Sequence, residues 1–511
     1  MLIDSTLGQW LPDLPDYNNP GVTTAYNVVP SVGAAQGAVT YQPLKAASLY
    51  STTTMVSRPL GSAIGKDKLG NAKVYSGCAT RLYKINTATR MWQDISRAAF
   101  YTTAEGERWE STEYGNGIYL TNYSNEIQYI NKDVDTQFAN ATTLVQARHI
   151  ATVKDFIVVG NTYDPLDGAV PFRVRWSGLG LPLSWDFSQA TGADFQDVYG
   201  YGAVQAIVGG EAGWLIMSDG IVKMTYVEYP YWFRFDPVPN AKGCAVPQSV
   251  IPDVEGFTYF IGDDGFYAMD QRSGATTPIG SGKVDQFFLN SVDTGAYQYM
   301  TVAADPRAKL IYWLYVSAAA TDGTPDKMLV FNYLTGAWST ADATADYIFN
   351  ALSLGWTIEQ LDTFGTIEQV PSSFDSPLWA GGNAMLWAMK QNGSIYVFGG
   401  STLPARIETG EQWLSGTIKA MDPRAGNGDR AIVHGVRPLF DGAGADVDVS
   451  VGTRSLSNDA VVWTNAQDMH GQTGFAYFRT HSRYFRFRLS LEAGWSNAMS
   501  LQIEASMAGG R

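Results

Sequence analysis

Few side chains in this 511-residue sequence are spaced for chemistry. The four histidines, His149, His434, His470 and His481, include no i, i+4 pair that would bind zinc from one helix face, and no C-x-x-C accompanies them. There is no G-x-S-x-G elbow, no Walker loop, and no G-x-G-x-x-G after a strand. Glu359, Asp362, Glu368 and Asp375 cluster among apolar residues, the residue type for Ca²⁺ binding or an acid–base pair. Their spacing completes no EF-hand loop, and they read as the solvated side of a crossover segment. No catalytic, metal-binding or cofactor-binding residue is therefore assigned, and no cofactor is expected. Two carboxylates brought together only by folding leave no local signature, so this lowers the expectation of an enzyme without removing it.

Two stretches are better suited to binding. In 482–491, Arg483, Arg486 and Arg488 interleave with Tyr484, Phe485, Phe487 and Leu489, a pattern for phosphates, a nucleic acid strand or ion pairs across an interface. In YPYWFRFDPV (229–238) the aromatics are dense enough to stack on a pyranose ring, although core or interface packing is the more ordinary use.

The elements that must hold these residues are strands. FTYFIGDDGFYAMD (257–270) is two β-rich runs around an Asp-Gly turn, where glycine supplies the positive φ. The runs do not alternate between apolar and polar, so both faces of their sheet should be covered. Copies of the unit occur at 72–86, 117–131, 155–177, 213–226, 309–339 and 384–400, mostly about 35–55 residues apart. Seven such hairpins predict a β-propeller of six or seven blades, whose sheets bury both faces against their neighbours. The blade turns complete no S-x-D-x-G-x-x-W box of the propeller sialidases.

The ends of the chain differ. QWLPDLPDYNNPGVTTAYNVVP (9–30) has too many prolines for a helix, yet Trp10, Leu11, Leu14 and Tyr17 are too apolar for a free tail. Residues 436–463 and 477–511 alternate cleanly, as antiparallel strands with one wet face do. The expected architecture is all-β. An extended arm (1–53) and a β-sandwich-like domain (411–511) form a platform from the chain ends, and a propeller (54–410) contains an irregular crossover at 341–382. Interface candidates are Trp10, Leu11, Leu14, Tyr17, Arg483, Tyr484, Arg486 and Arg488.

Charged residues make up 16% of the chain against about 25% in ordinary domains, and aromatics 13%, which suits large buried and intersubunit surfaces. The net charge of −14 argues against a conventional nucleic-acid binder but suits a surface that DNA passes without sticking. Cys78 and Cys244 are too few for a disulfide framework and are expected as buried thiols of a protein folded in a reducing cytoplasm. MLIDSTLGQW has neither a basic nor an apolar region of a signal peptide, and no run approaches a membrane span, so no integral membrane contact is expected.

The ordered set of WLPDLPDYNNPG with NVVP, the GFTYFIGDDGFYAMD hairpin, DPR before a strand at 305–316, FNYLTGAWS (331–339), GWTIEQLDTFGTIEQVPSSFDSPLWAGG (355–382), LPARIETGEQ (403–412) and a terminal R-Y-F-R-F-R strand resembles tail nozzle, or tail tubular, proteins of short-tailed bacteriophages, including the packaged-DNA stabilisation group. The resemblance spans nearly the whole chain. It implies a non-enzymatic virion tail protein assembled in the host bacterial cytoplasm. A homohexameric ring would close and then conduct the DNA ejection channel. Its partners would be a tail adaptor protein, tail fibres or spikes, and genomic DNA in transit without sequence specificity. Two other classes stay open: a receptor- or glycan-binding tail protein with a propeller face, and a propeller glycosidase.

Overall fold

The computed structural model describes all residues except 34–37, 344, 354–365, 367–383, 423–427, 443 and 509–511. Among the described residues, six four-stranded antiparallel sheets and an antiparallel four-strand run within a ten-stranded sheet make seven blades along the chain. Blade one spans 61–94, blade two 110–140, blade three 146–197, blade four 204–237, blade five 251–278 and blade six 301–342. Blade seven takes its first three strands from Tyr347–Leu352, Ala384–Met389 and Ile395–Thr402. Each of the seven sequence hairpins supplies the two middle strands of one blade. The absence of alternation has the expected cause: in blade six every residue of Leu310–Tyr315 is buried, packed on both faces by neighbouring blades.

The sequence assignment of the ends needs three corrections. The fourth strand of blade seven is Lys45–Ser51, which pairs antiparallel with Ile395–Thr402 and closes the ring. This strand lies in the stretch read as arm, but belongs to the propeller. Conversely Ala405–Thr409, read as propeller, runs in the platform between Val22–Tyr26 and Tyr484–Leu491. Tyr347–Leu352, read as irregular crossover, is the innermost strand of blade seven. The carboxylates Glu359, Asp362, Glu368 and Asp375 lie outside the described residues.

The platform is two sheets face to face. One contains Val28–Val32, Val39–Pro43, Asn497–Met507, Ala431–Asp441 and Ala476–Ser482, with Leu2–Thr6 also paired to Asn497–Met507. The other is a continuation of blade six. Its outer strand Ala337–Asp342 is followed by Val22–Tyr26, Ala405–Thr409, Tyr484–Leu491 and Val447–Arg454 in one ten-stranded sheet. Side chains finish the join: Asn332 Nδ2 donates to Pro30 O (2.8 Å), Ser339 Oγ to Val28 O (2.6 Å), and the Asp342 N–H to Asn27 Oδ1 (3.0 Å). Asn27 turns the chain between two strands at φ 56°, a left-handed conformation that asparagine tolerates.

One core runs through both bodies. Leu7, Trp10 and Val22 of the arm and Phe485, Phe487 and Leu489 of the C-terminal strands share it with Phe266, Trp313 and Trp338 of blades five and six. Trp10 is only 2% exposed, packs edge-on against Phe287 (5.0 Å) and donates its indole N–H to Thr23 O. Next to it, the Asp13 carboxylate accepts the backbone N–H groups of Gln286 (3.0 Å) and Phe287 (2.8 Å), capping the short helix Asp285–Ser291 from another part of the chain.

The turn of the 257–270 hairpin meets this helix. A Cβ on Gly265 (φ +146°) would fall 2.2 Å from the Asp285 carboxyl carbon, so only glycine fits there. Burial pushes Asp285 up to about 6, against the Phe266 N–H that its carboxylate accepts and with help from Asp13 and Asp264. A carboxyl raised above its unfolded value favours the folded state when protonated, so this contribution is lost as pH rises through about 6. Asp285→Asn should therefore raise the melting temperature by a few degrees at pH 7.5, with the gain shrinking toward pH 4.5. Trp10→Ala should cost about 3–5 kcal/mol in denaturant unfolding, because it opens a cavity in the shared core.

Candidate assembly surface and central channel

Of the eight interface candidates, Trp10, Arg486 and Arg488 are already occupied within the chain. Tyr484–Leu491 alternates as expected: Phe485, Phe487, Leu489 and Leu491 point into the core, and Tyr484, Arg486 and Arg488 point the other way. The second face is not a free basic strip. Arg488 donates to Glu408 (2.8 Å) and lies over the Trp463 ring at 3.8 Å. Arg486 reaches Asp16 (2.8 Å) and Glu408 (3.4 Å), and Arg454 pairs with Glu411 (2.7 Å). Asp16 belongs to the arm, which folds over this face and leaves the Glu408 and Glu411 side chains 9% and 1% exposed.

Of the remaining candidates, Trp10 anchors the arm to its own subunit, while Leu11 and Leu14 are half-buried. Tyr17 is 49% exposed and meets Tyr484 edge-on at 5.5 Å. Arg483 stays at the surface, 3.7 Å from Asp429. Only Leu11, Leu14, Tyr17, Arg483 and the edge of Tyr484 thus have surface to offer a neighbour. Glu408 and Glu411, which neutralise the arginines, lie in the LPARIETGEQ segment, but nothing in that segment marks them as ion-pair partners. Each sits 43 residues or more from the arginine of this face that it binds, so only the fold pairs them.

The central channel is a cavity of about 800 Å³ walled by the inner strands of the blades. Its acids are engaged among the described residues. Glu110 is 2.8 Å from His149 Nδ1, Glu113 pairs with Lys132, and Asp253 accepts the Tyr259 hydroxyl (3.1 Å). Arg108, pushed down to about 10 by burial, donates to Gln298 O (2.7 Å). The free cysteines are both buried, and burial pushes the Cys244 thiol up to about 12, which makes it an unreactive packing residue.

Fold and site together define a seven-bladed propeller fused to a β-sandwich platform. No protein-family model matches the chain, and no curated protein sequence matches it. Solved structures give distant likenesses. The extracellular domain of the putative one-component system BT4673 of B. thetaiotaomicron aligns over 84% of this chain and 48% of its own, at 13% identity and a TM-score of 0.37. YCF48 bound to D1 peptide aligns over 73% and 99%, at 11% identity and 0.35. Apo AztD from Citrobacter koseri aligns over 63% and 93%, at 11% identity and 0.29. The chain spans about half the length of the BT4673 chain. Likenesses at this level carry no argument about function, and the propeller assignment stands on its own sheet topology.

Glu408 is the residue on which the charged face depends. Glu408→Gln should cost about 3 kcal/mol in urea unfolding, because it leaves two largely buried guanidinium groups short of their counter-charge. Arg483→Ala, at the exposed end of the same strand, should change stability by no more than about 0.5 kcal/mol.

Proposed function

We propose that this chain is a tail nozzle subunit of a short-tailed bacteriophage, a structural virion protein acting as a homohexameric ring at the end of the ejection channel. The observation that carries the reading is the platform. Both chain ends build it, and it shares a sheet and a core with the propeller, which makes each subunit a rigid two-part stave. Such a stave transmits load between neighbours without a hinge, as a ring that holds back a pressurised genome requires. The N- and C-terminal motifs of the resemblance are the ones that come together in this platform.

The electrostatics support passage rather than capture of DNA. With Arg454, Arg486 and Arg488 neutralised by Glu411, Glu408 and Asp16, the polar face around Tyr484–Leu491 presents no row of free guanidinium groups to phosphates among the described residues. The tail adaptor and the fibres or spikes are the further partners of this reading. The engaged state of Glu110, Glu113 and Asp253 gives a glycosidase reading of the channel no support.

Negative-stain images of the purified chain, alone and mixed with its tail adaptor, should show six-membered rings. A protein that stays monomeric in both samples would overturn the proposal. In the same preparation, duplex DNA should bind only weakly, and a nanomolar complex that persists at about 0.2 M salt would count against a conducting role.

A further inference from the structure

The aromatic segment at 229–238 divides in the fold, and its exposed half faces a groove. Phe233 is buried, packed on Trp176 of blade three at 5.1 Å, whereas Tyr231 is 78% exposed. Across the seam from blade four, the outer strand of blade three ends in Asp197, and Tyr199 follows it, 69% exposed. Between them lies a groove of about 630 Å³, within the size range of small-molecule sites. Tyr199, Tyr201, Tyr231 and Phe235 line its walls, with Gln196 and Arg234 beside them.

We propose that this seam binds a neutral oligosaccharide. A pyranose ring has apolar C–H faces and a rim of hydroxyl groups, so it needs flat aromatic surfaces with planar hydrogen-bonding groups at their edges. The groove offers both. Tyr199 is fixed at two points: its hydroxyl donates to Asp197 (3.2 Å) and its ring packs on Phe172 at 4.9 Å. A wall fixed in this way loses little freedom on binding.

The charge behind the groove selects among sugars. Arg173, buried, binds three carboxylates, Asp197 (2.6 Å), Asp167 (2.5 Å) and Asp164 (3.1 Å), and Arg234 in the lining is paired with Asp236 (2.7 Å), which leaves this wall net negative. Uronic or sialic acids would meet repulsion there, whereas neutral sugars would not. The seam also lies on the part of the ring away from blade six, where the platform joins, so it stays open if the platform makes the ring contacts. The inference goes beyond the nozzle reading and does not depend on it.

The test titrates the full chain with maltotetraose, cellotetraose, chitotetraose and tetragalacturonate, read by calorimetry or tryptophan fluorescence. At least one neutral tetrasaccharide should bind saturably, and Tyr199→Ala/Tyr231→Ala should weaken it by about tenfold or more. Both tyrosines are exposed, so the variant should keep the parental melting temperature, and Tyr477→Ala on the platform should bind like the parent. No saturation by about 10 mM, unchanged binding in the double variant, or preference for the galacturonate would overturn the proposal. So would self-association that the double variant abolishes while no sugar binds, since the groove would then be a subunit contact. Ring formation by the same variant is scored separately, so that failure here is distinguishable from failure of the nozzle reading.

Discussion

An open sheet edge must be covered, and the covering of one edge organises this molecule. The outer strand of blade six does not end in solvent. It gives its hydrogen-bonding edge to Val22–Tyr26, which passes the ladder to Ala405–Thr409 and on to the C-terminal strands. Remove that hand-over and two bodies remain with exposed strand edges and a divided core. With it, the arm, the propeller and the last hundred residues form a single continuous structure. Trp338 sits at the junction, 4.5 Å from Phe331 and 5.6 Å from Trp313 in ring-to-ring distance, so the ladder and the core reinforce each other at the same point.

The same economy governs charge. A polar sheet face with three arginines would stand as a basic patch if left in water. Here the arm folds over it and contributes Asp16, while the neighbouring strand contributes Glu408. Buried ion pairs of this kind add little net stability over apolar packing, but a mismatched partner leaves an unpaired charge, which is costly. The pairing therefore acts more as a register mark than as glue: it fits one alignment of arm, Ala405–Thr409 and Tyr484–Leu491 and penalises the others.

Much of the fold was legible because two-face burial writes itself into the sequence as apolar hairpins with Asp-Gly or Asn-Gly turns. All seven middle hairpins could be read from their apolar runs, and five of them, all but 72–86 and 117–131, also carry such a turn. The closing strand was not legible: KAASLYS is small and mostly half-exposed, because an outer blade strand packs on one side only. Val22–Tyr26 was hidden for a related reason, being short and preceded by prolines. In the platform, the alternation of Tyr484–Leu491 gave the sheet and its two faces, but not what covers the polar face. Its partners lie tens to hundreds of residues away, and neither charge type nor spacing announces them. Trp10 read as an anchor between subunits because a sequence cannot say whose surface an apolar side chain will find. The fold gives it to Phe287 of its own chain.

The closure by Lys45–Ser51 also sets an order of events at the ribosome. Ser48 meets Val397 across 349 residues, and Leu2–Thr6 meets its partner strand only after residue 497 has been made. Five blades have all their strands from one local stretch and can form as they emerge, as can blade six apart from its covered edge. The ring cannot close until residues 395–402 have been made, and the platform cannot be finished until residues 497–507 have followed. Until its distant partners emerge the arm has only local pairing, as of Val28–Val32 with Val39–Pro43, and the long sequence separation of its other contacts makes its docking a slow, late step. That delay gives the nascent chain a long interval in which Leu2–Thr6, Val22–Tyr26 and Lys45–Ser51 are free to pair with the unfinished edges of another copy.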